Sequence, residues 1–309
     1  MQFWQKRRAT SRLPRLRSAP RYLKEPAITN IIGYKVGMAH IGMTDDTESP
    51  SKNNEVARAC TFIEFPMMQV YGARFYTKDA NGYKKSAFEV IEAKPSGAKN
   101  SKTQTLEYAK SKIDTIYDIT ALIKADVKKL STGQHHPVKF ESSLGGADVA
   151  AKLKYIEERI GKNVEPMEVF KHGEFVDISS ISVGKGWQGT IKRFGTARLF
   201  HKATQKTRHV GTLGPFSPGK VLFTVPQAGQ MGFNYRTDYN KRVLKIGTPS
   251  EAINPKSGFK NYGIIKNSFM MVDGSITGPS KRMVRIRKSV TNRNIFGIKE
   301  PKVTYISIK

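Results

Sequence analysis

The sequence predicts a mainly β fold with an α-containing insertion and long basic extensions. Two observations carry this prediction. Residues 27–94, 168–183 and 242–278 contain short runs rich in Val, Ile, Tyr and Phe, separated by glycine, proline and polar turns, as in strands. Residues 95–167 instead contain two apolar runs with the spacing of helices.

Residues 1–26 are predicted to form a basic arm. Positions 1–24 carry eight cations and no acid, and Pro14 and Pro20 prevent a continuous helix. Repulsion between the like charges favours an extended conformation. The alternatives are a solvated tail and an organellar transit peptide, which is also rich in arginine and poor in acids. The arginines expected to contact a polyanion are Arg7, Arg8, Arg12, Arg15 and Arg17.

The segment 27–94 is predicted to contain several strands. ITNIIGYKVGMAHIGMTDD holds short β-rich runs that Gly33, Gly37 and Gly42 divide. VARACTFIEF and QVYGARFYT follow on either side of a proline. The turn DANG (79–82) leads into KKSAFEVIEA, which predicts a hairpin.

The insertion, residues 95–167, is predicted to be helical. TIYDITALIKADVKKL (115–130) places its apolar residues at helical spacing. VAAKLKYIEERI (149–160) predicts a second helix, with Asp148 as its cap and Gly161 as its end.

The charge of the chain indicates a polyanionic partner. Lys plus Arg number 53 against 25 Asp plus Glu, which gives a net charge of +28. Of these acids, 21 lie between Glu25 and Asp177, so a body of mixed sign carries basic extensions. The single cysteine, Cys60, excludes an intrachain disulfide and a thiolate zinc cluster, and its strand-like neighbours predict burial. The absence of a membrane-length apolar run and of a secretory apolar core indicates a soluble, reducing compartment.

The stretch 184–240 is the centre of the predicted interface. No Asp or Glu occurs between Asp177 and Asp238. Cations displace counterions from phosphates, aromatic rings stack on bases, and glycines let the backbone approach, so the stretch is predicted to enter structured RNA. His201 and His209 either contact phosphate or are simply exposed to water. For the cations, the alternative to RNA binding is an ordinary solvated surface. The nine cations are Lys185, Lys192, Arg193, Arg198, Lys202, Lys206, Arg208, Lys220 and Arg236.

Trp187 and Phe216 are the aromatic residues expected at this interface. The alternative for Trp187, Phe194 and Phe223 is a place in the core of a strand. Phe216 differs because it lies in GTLGPFSPG between Pro215 and Pro218, a stiff turn that suits a projecting tip.

No pattern predicts an active site. GKGWQG (184–189) matches GxGxxG, but a dinucleotide site needs a helix at this turn and an acid about 20 residues further on. The segment that follows, TIKRFG, begins with two β-branched residues and ends in glycine, so it predicts no such helix. No acid is available either, because the interval between Asp177 and Asp238 contains none. The adjacent His135 and His136 have no further ligand at metal spacing, which favours a polar loop.

The segment 279–309 carries nine cations from Lys281 onward against one acid, Glu300. In KRMVRIRKSV (281–290) cations partly alternate with apolar residues, which predicts a strand with one face in a core and the other on phosphate. The predicted contacts are Lys281, Arg282, Arg285, Arg287 and Lys288.

Five segments together resemble a known family. They are IIGYKVGMAHI, TFIEFPMMQVYGARFY, GKGWQGTIKRFGT, TVPQAGQMGFNYRTDYNKRVLKIG and YGIIKNSFMMVDGSITGPSKRMVRIRKSV. In this order, over residues 27–295, they resemble the universal large-subunit ribosomal protein L three family in its archaeal/eukaryotic form. The glycines and AGQMG (228–232) carry most of the resemblance. Gln230 of this segment is also expected to bind RNA.

The resemblance implies a six-stranded translation-protein-type β-barrel. Residues 27–94 would be its first part, 95–167 an inserted domain and 168–309 its second part. Residues 185–235 would be a central loop directed toward the peptidyl-transferase centre. Phe216 stands where the family usually has Trp, and Thr204 where it often has a histidine. Phe keeps a stacking face but lacks the indole N–H donor.

The implied function is structural. Such proteins bind large-subunit rRNA beside neighbouring ribosomal proteins and support subunit assembly. They are bound to the ribosome in the cytoplasm and are not enzymes. No cofactor, membrane or small-molecule substrate is expected, apart from structural Mg or K ions held through rRNA. The alternatives are an RNA-modifying or nucleotide-dependent enzyme that uses 184–189 and a basic DNA-architectural protein, although the basic stretches lack a recognition-helix pattern.

Overall fold

The computed structural model describes residues 7–20, 22–92, 103–203, 206–249, 253–291 and 298–307. The chain divides into two compact units. The smaller unit comprises residues 1–12 and 181–236, and the larger unit comprises residues 13–180 and 237–309.

The prediction of a mainly β fold is confirmed, and the helices of the described residues are few. The helices are α1 (Leu106–Ser111), α2 (Val149–Arg159), α3 (Pro166–Val169) and α4 (Thr190–Phe194), with a 3-10 turn at Ile113–Thr115. The strands are β1 (Asn30–Thr44), β2 (Glu55–Glu64), β3 (Met67–Lys78), β4 (Lys84–Ile91), β5 (Asp118–Asp126), β6 (Val138–Ser143), β7 (Asn163–Val164), β8 (Phe175–Ile181), β9 (Trp187–Gln188), β10 (Gly229–Gln230), β11 (Tyr235–Gly247), β12 (Phe269–Asp273), β13 (Met283–Lys288) and β14 (Val303–Ile306).

A seven-stranded sheet has the order β13-β8-β11-β12-β2-β1-β14, and β13 also pairs with β1. The first half of β1 pairs with β13, where Asn30 lies opposite Arg287, and the second half pairs with β14. The predicted division of this segment at its glycines is wrong, because β1 is one continuous strand. Gly33 shows why a glycine suits its interior: a Cβ there would lie 2.5 Å from Cγ2 of Ile63 on β2.

A second sheet has the order β4-β3-β5-β6, and β7 pairs with β3. The predicted helix at 115–130 is wrong, because this segment contains β5, which pairs with β3 and β6. Residues 119–123 of β5 are all buried, so both faces of the strand are covered. A strand covered on both faces carries a continuous apolar run, which also satisfies helical spacing. The β-branched isoleucines favour the strand.

The second predicted helix is confirmed as α2. The carboxylate of Asp148 accepts a hydrogen bond from Ala150 N at 3.1 Å, and Gly161 after the helix has φ +84°. The predicted hairpin is also confirmed, because Gly82 N donates to Asp79 O between β3 and β4. Cys60 is buried as predicted, and burial raises the pKa of its thiol to about 11.

Candidate nucleic-acid interface

The central loop of the smaller unit begins and ends in a two-stranded stem. Ser182 N donates to Asn234 O at 3.0 Å, and Lys185 N donates to Met231 O at 3.0 Å. The ladder continues into the pairing of β9 with β10, where Trp187 lies opposite Gln230. We define the stem as residues 182–189 and 229–234. It fixes the base from which residues 190–228 project.

Two residues with left-handed backbone conformation lie in the second strand of the stem, residues 229–234, which we call the return strand. Gly232 has φ +73°, and a Cβ there would lie 2.0 Å from Val183 O, so only glycine allows this approach of the two strands. Phe233 has φ +51°, which is unusual for a bulky side chain. Its carbonyl accepts a hydrogen bond from Ala9 N at 2.8 Å, which helps to hold the strained conformation.

A single helical turn follows the GxGxxG segment. The expectation that no helix begins there is wrong, because α4 starts after Gly189 and ends at Gly195, which has φ +72°. The helix is only five residues long, and the acid that a dinucleotide fold places on the ribose is missing from the interval. The segment therefore belongs to the stem and not to a nucleotide fold.

Arg193 of α4 stabilises the stem. Its Nε donates to Gln230 O at 3.1 Å and its Nη1 to Gln227 O at 2.7 Å. A Cβ on Gly229 would lie 2.8 Å from Arg193 Nη1, so glycine makes room for the guanidinium. The Gln230 side chain is also committed, because its Nε2 donates to the carbonyls of Met231 and Gly232 at 3.2 Å each. Sequence patterns identify these two side chains as polar but carry no sign of these contacts.

Most of the predicted loop residues are exposed. Trp187 is 76% exposed, Phe223 is 83% exposed and Phe216 is fully exposed, so a core position for Trp187 and Phe223 is wrong. Phe194 is half-buried. Residues 211–224, which include Pro215 and Pro218, are exposed throughout. The other exposed side chains of the predicted set are Lys185, Lys192, Arg198, His201, Lys202, Lys206, Arg208, His209, Lys220 and Arg236.

The first described residues of the arm lie along the return strand of the stem. Asn234 Nδ2 donates to Arg7 O at 2.7 Å, and Tyr235 Oη donates to Ser11 O at 3.0 Å. The Ala9 bond to Phe233 completes this set. The exposed arginines of the arm are Arg7, Arg8, Arg12, Arg15 and Arg17.

The prediction that the cations of β13 face phosphate is wrong for Arg285 and Arg287, because both are buried in the larger unit. Arg287 forms an ion pair with Asp177 at 3.0 Å, and its Nη1 donates to Ser18 O at 2.7 Å. Arg285 donates to Asn30 Oδ1 at 3.0 Å and to backbone carbonyls. Burial lowers the pKa of Arg285 to about 10, which leaves it charged at neutral pH. The two arginines therefore bind the protein itself.

The remaining predicted residues of this segment differ in exposure. Lys281 is exposed, whereas Arg282 and Lys288 are half-buried. The ammonium of Lys288 lies 3.5 Å from the Glu174 carboxylate. Of the five cations predicted here, only Lys281 is fully open to a polyanion.

Among the described residues, no group of three or more His, Cys, Asp or Glu side chains is arranged to hold a metal ion. No helix in the same ranges is long and apolar enough to cross a membrane.

A β-sheet frame with an exposed, acid-free, aromatic-tipped loop defines a basic polyanion-binding protein. The family model of Ribosomal protein L3 matches residues 1–112 and 73–307. The chain belongs to this family, which is structural and non-enzymatic. The enzyme alternative is therefore excluded.

Archaeal relatives match along nearly the whole chain, and each is named Large ribosomal subunit protein uL3. That of Methanothermobacter thermautotrophicus is 36% identical over 322 residues, covering 99% of this chain and 94% of the relative. That of Methanosphaera stadtmanae is 38% identical over 330 residues, with the same coverage of 99% and 94%. That of Methanocaldococcus jannaschii is 35% identical over 316 residues, again covering 99% and 94%.

Proposed function

We propose that this chain is a structural constituent of the large ribosomal subunit in the cytoplasm. It binds large-subunit rRNA beside neighbouring ribosomal proteins, supports subunit assembly, and reaches toward the peptidyl-transferase centre through the loop 185–235. The rRNA brings any structural Mg or K ions, and the chain needs no cofactor of its own.

The exposed, one-signed loop is the observation that carries this proposal. Long exposed cationic side chains without a neighbouring acid are poorly stabilised by the protein itself, whereas phosphates neutralise them with release of counterions. Phe216 adds a fully exposed ring between two prolines, which suits stacking on a base or packing in an RNA crevice.

We also propose that β13, β8, β11, β12, β2 and β1 form a closed six-stranded barrel of the translation-protein type. Support comes from β13, which pairs with β8 along one edge and with β1 along the other. The proposed parts remain 27–94 and 168–309 for the barrel and 95–167 for the insertion. In the structure, however, β3 lies between β4 and β5 of the insertion and pairs with both.

Salt dependence of rRNA binding tests the role of the loop. The affinity should fall by roughly 0.7–0.9 log units per log unit of salt for each phosphate neutralised. Replacing Arg198, Lys206 and Arg208 with Gln should therefore lower this slope by about 2–3. A matched control replaces Lys124, Lys128 and Lys129, which are exposed outside the loop.

Filter binding to large-subunit rRNA of Methanothermobacter thermautotrophicus measures both slopes. An equal loss in the two triple variants would contradict a specific role of the loop. Duplex DNA of the same charge should compete poorly, and efficient competition would instead favour the DNA-architectural alternative.

A further inference from the structure

A cleft of about 440 Å³ lies beside the stem in the smaller unit. It is lined by Arg8, Ala9, Gly184, Gly186, Gln230 and Phe233. Its volume lies within the roughly 300–1,000 Å³ of pockets that bind small molecules. The cleft is therefore large enough for one nucleotide.

Bare backbone forms one wall of this cleft. A Cβ built on Gly186 would meet no atom within 4 Å, and one built on Gly184 would reach only the Phe233 side chain, at 3.6 Å. Gly186 thus leaves open the space that a side chain would occupy, and Gly184 lets the Phe233 side chain lie close to the backbone. Glycine backbone and an aromatic ring suit a flat ligand, because each allows close approach to a planar face.

Phe233 lines the cleft in a strained conformation. Its φ of +51° is costly for an aromatic residue and persists only because neighbouring groups fix it. Ala9 N donates to its carbonyl, and the adjoining Gly232 brings the return strand against Val183. Strain of this kind concentrates at functional sites. Here it places an aromatic ring at the cleft.

The surroundings of the cleft favour an anion. Arg8 lies at its edge and is exposed. The described residues of the smaller unit, 7–12, 181–203 and 206–236, include no Asp or Glu. The Gln230 amide, held by its bonds to two carbonyls, adds a polar group of fixed orientation to the wall.

We propose that this cleft binds one unpaired nucleotide of rRNA. The base packs on the Phe233 ring and against the open backbone of Gly186, and its phosphate is bound by Arg8. The inference rests on the proposed function, since it assigns a specific ligand to the same RNA-binding protein. An acidic protein segment fits less well, because the glycine wall suits a planar group.

Filling the cleft tests this inference. Gly184→Leu adds a side chain inside the cleft, and its Cβ makes only ordinary contacts, so the stem should fold normally. Gly189→Leu is the matched control, since a Cβ there meets nothing within 4 Å and lies outside the lining. The full chain is bound to purified Methanothermobacter thermautotrophicus large-subunit rRNA, and dimethyl sulfate then probes the unpaired bases.

The wild-type chain and Gly189→Leu should protect at least one unpaired base that Gly184→Leu leaves reactive. Gly184→Leu should also weaken binding about 5- to 150-fold, which corresponds to the ~1–3 kcal/mol of one stacked base. Circular dichroism checks folding, and Gly184→Ala replaces the leucine variant if that variant is misfolded.

Two results would overturn the inference. If the Gly184 variants bind rRNA and protect its bases as the wild type does, the cleft holds no nucleotide. A cleft that instead binds a protein segment would give the same result, because the assay uses rRNA without other proteins. The proposed function itself would survive that outcome. If the wild-type chain fails to bind rRNA in a salt-dependent manner, the proposed function and the cleft assignment both fail.

Discussion

Replacing Arg287 with Ala should destabilise the protein and leave its intrinsic affinity for RNA nearly unchanged. The side chains of Arg287 and Asp177 are 4% and 0% exposed, and the guanidinium also donates to the carbonyl and hydroxyl of Ser18. Removal of Arg287 leaves the Asp177 carboxylate buried without its counter-charge. A cation that bound phosphate would show the opposite behaviour.

The expected loss is about 3–5 kcal/mol in the free energy of unfolding, the usual cost of removing one partner from a buried ion pair. Asp177 keeps two backbone donors, Asn240 N at 3.0 Å and Val290 N at 3.1 Å. Because these bonds still stabilise the carboxylate, we expect a value near the lower end. The double variant Arg287→Met/Asp177→Asn removes both charges and should recover most of the loss.

Urea unfolding followed by circular dichroism measures the stability, and filter binding without urea measures the affinity for rRNA. Arg15→Ala is the control, because Arg15 is an exposed cation of the arm. It should change stability by less than about 0.5 kcal/mol and should weaken rRNA binding. Wild-type stability combined with weak RNA binding in Arg287→Ala would refute the reasoning.

Three further predictions concern the stem, the tip and acid stability. Gly232→Ala should open the stem, because its Cβ would lie 2.0 Å from Val183 O, and amide exchange as slow as in the wild type would contradict this. Phe216→Ala should leave the melting temperature unchanged and weaken rRNA binding by ~1–3 kcal/mol, whereas a lower melting temperature would show that the ring packs on the protein. Burial raises the pKa of Asp118, but hydrogen bonds from lysines, including Lys152, outweigh it and hold the pKa below the ordinary 3.8. The stabilisation from Asp118 is therefore fully present above the ordinary pKa of 3.8 and is lost as the pH falls through the lower folded pKa. Asp118→Asn should consequently reduce the shift of the urea unfolding midpoint between pH 5 and pH 3. An unchanged shift would argue against a stabilising contact between Asp118 and Lys152.

Local sequence information was sufficient for much of the fold and the loop. The strands and α2 were predictable because spacing, caps and turn residues lie within a few positions of one another. The exposed tip was predictable for the same reason, since Pro215 and Pro218 flank Phe216 directly. The helix predicted at 115–130 is wrong because a strand buried on both faces and a buried helix can both contain a continuous run of apolar residues.

The errors at the interface have a different physical origin. Arg287 looks like a phosphate ligand in its own segment, but its partners Asp177 and Ser18 lie 110 and 269 positions away. Arg193 likewise stabilises the stem by donating hydrogen bonds to backbone carbonyls that lie 34 and 37 positions away in the sequence. Charge patterns indicate how many cations a segment carries. Only the tertiary structure shows which of them the protein uses for its own folding.

The pairing of β1 imposes an order on biosynthesis. Its first half needs β13 and its second half needs β14, and roughly 240 residues separate the end of β1 from the start of β13. At roughly 5–20 residues per second, the ribosome needs about 12–50 s to supply that partner. The second sheet is built entirely from residues 67–164 and can form during this interval. One edge of β1 meanwhile stays unpaired. Because such an edge attracts other strands, we expect the nascent chain to be prone to aggregation until its C-terminal strands emerge.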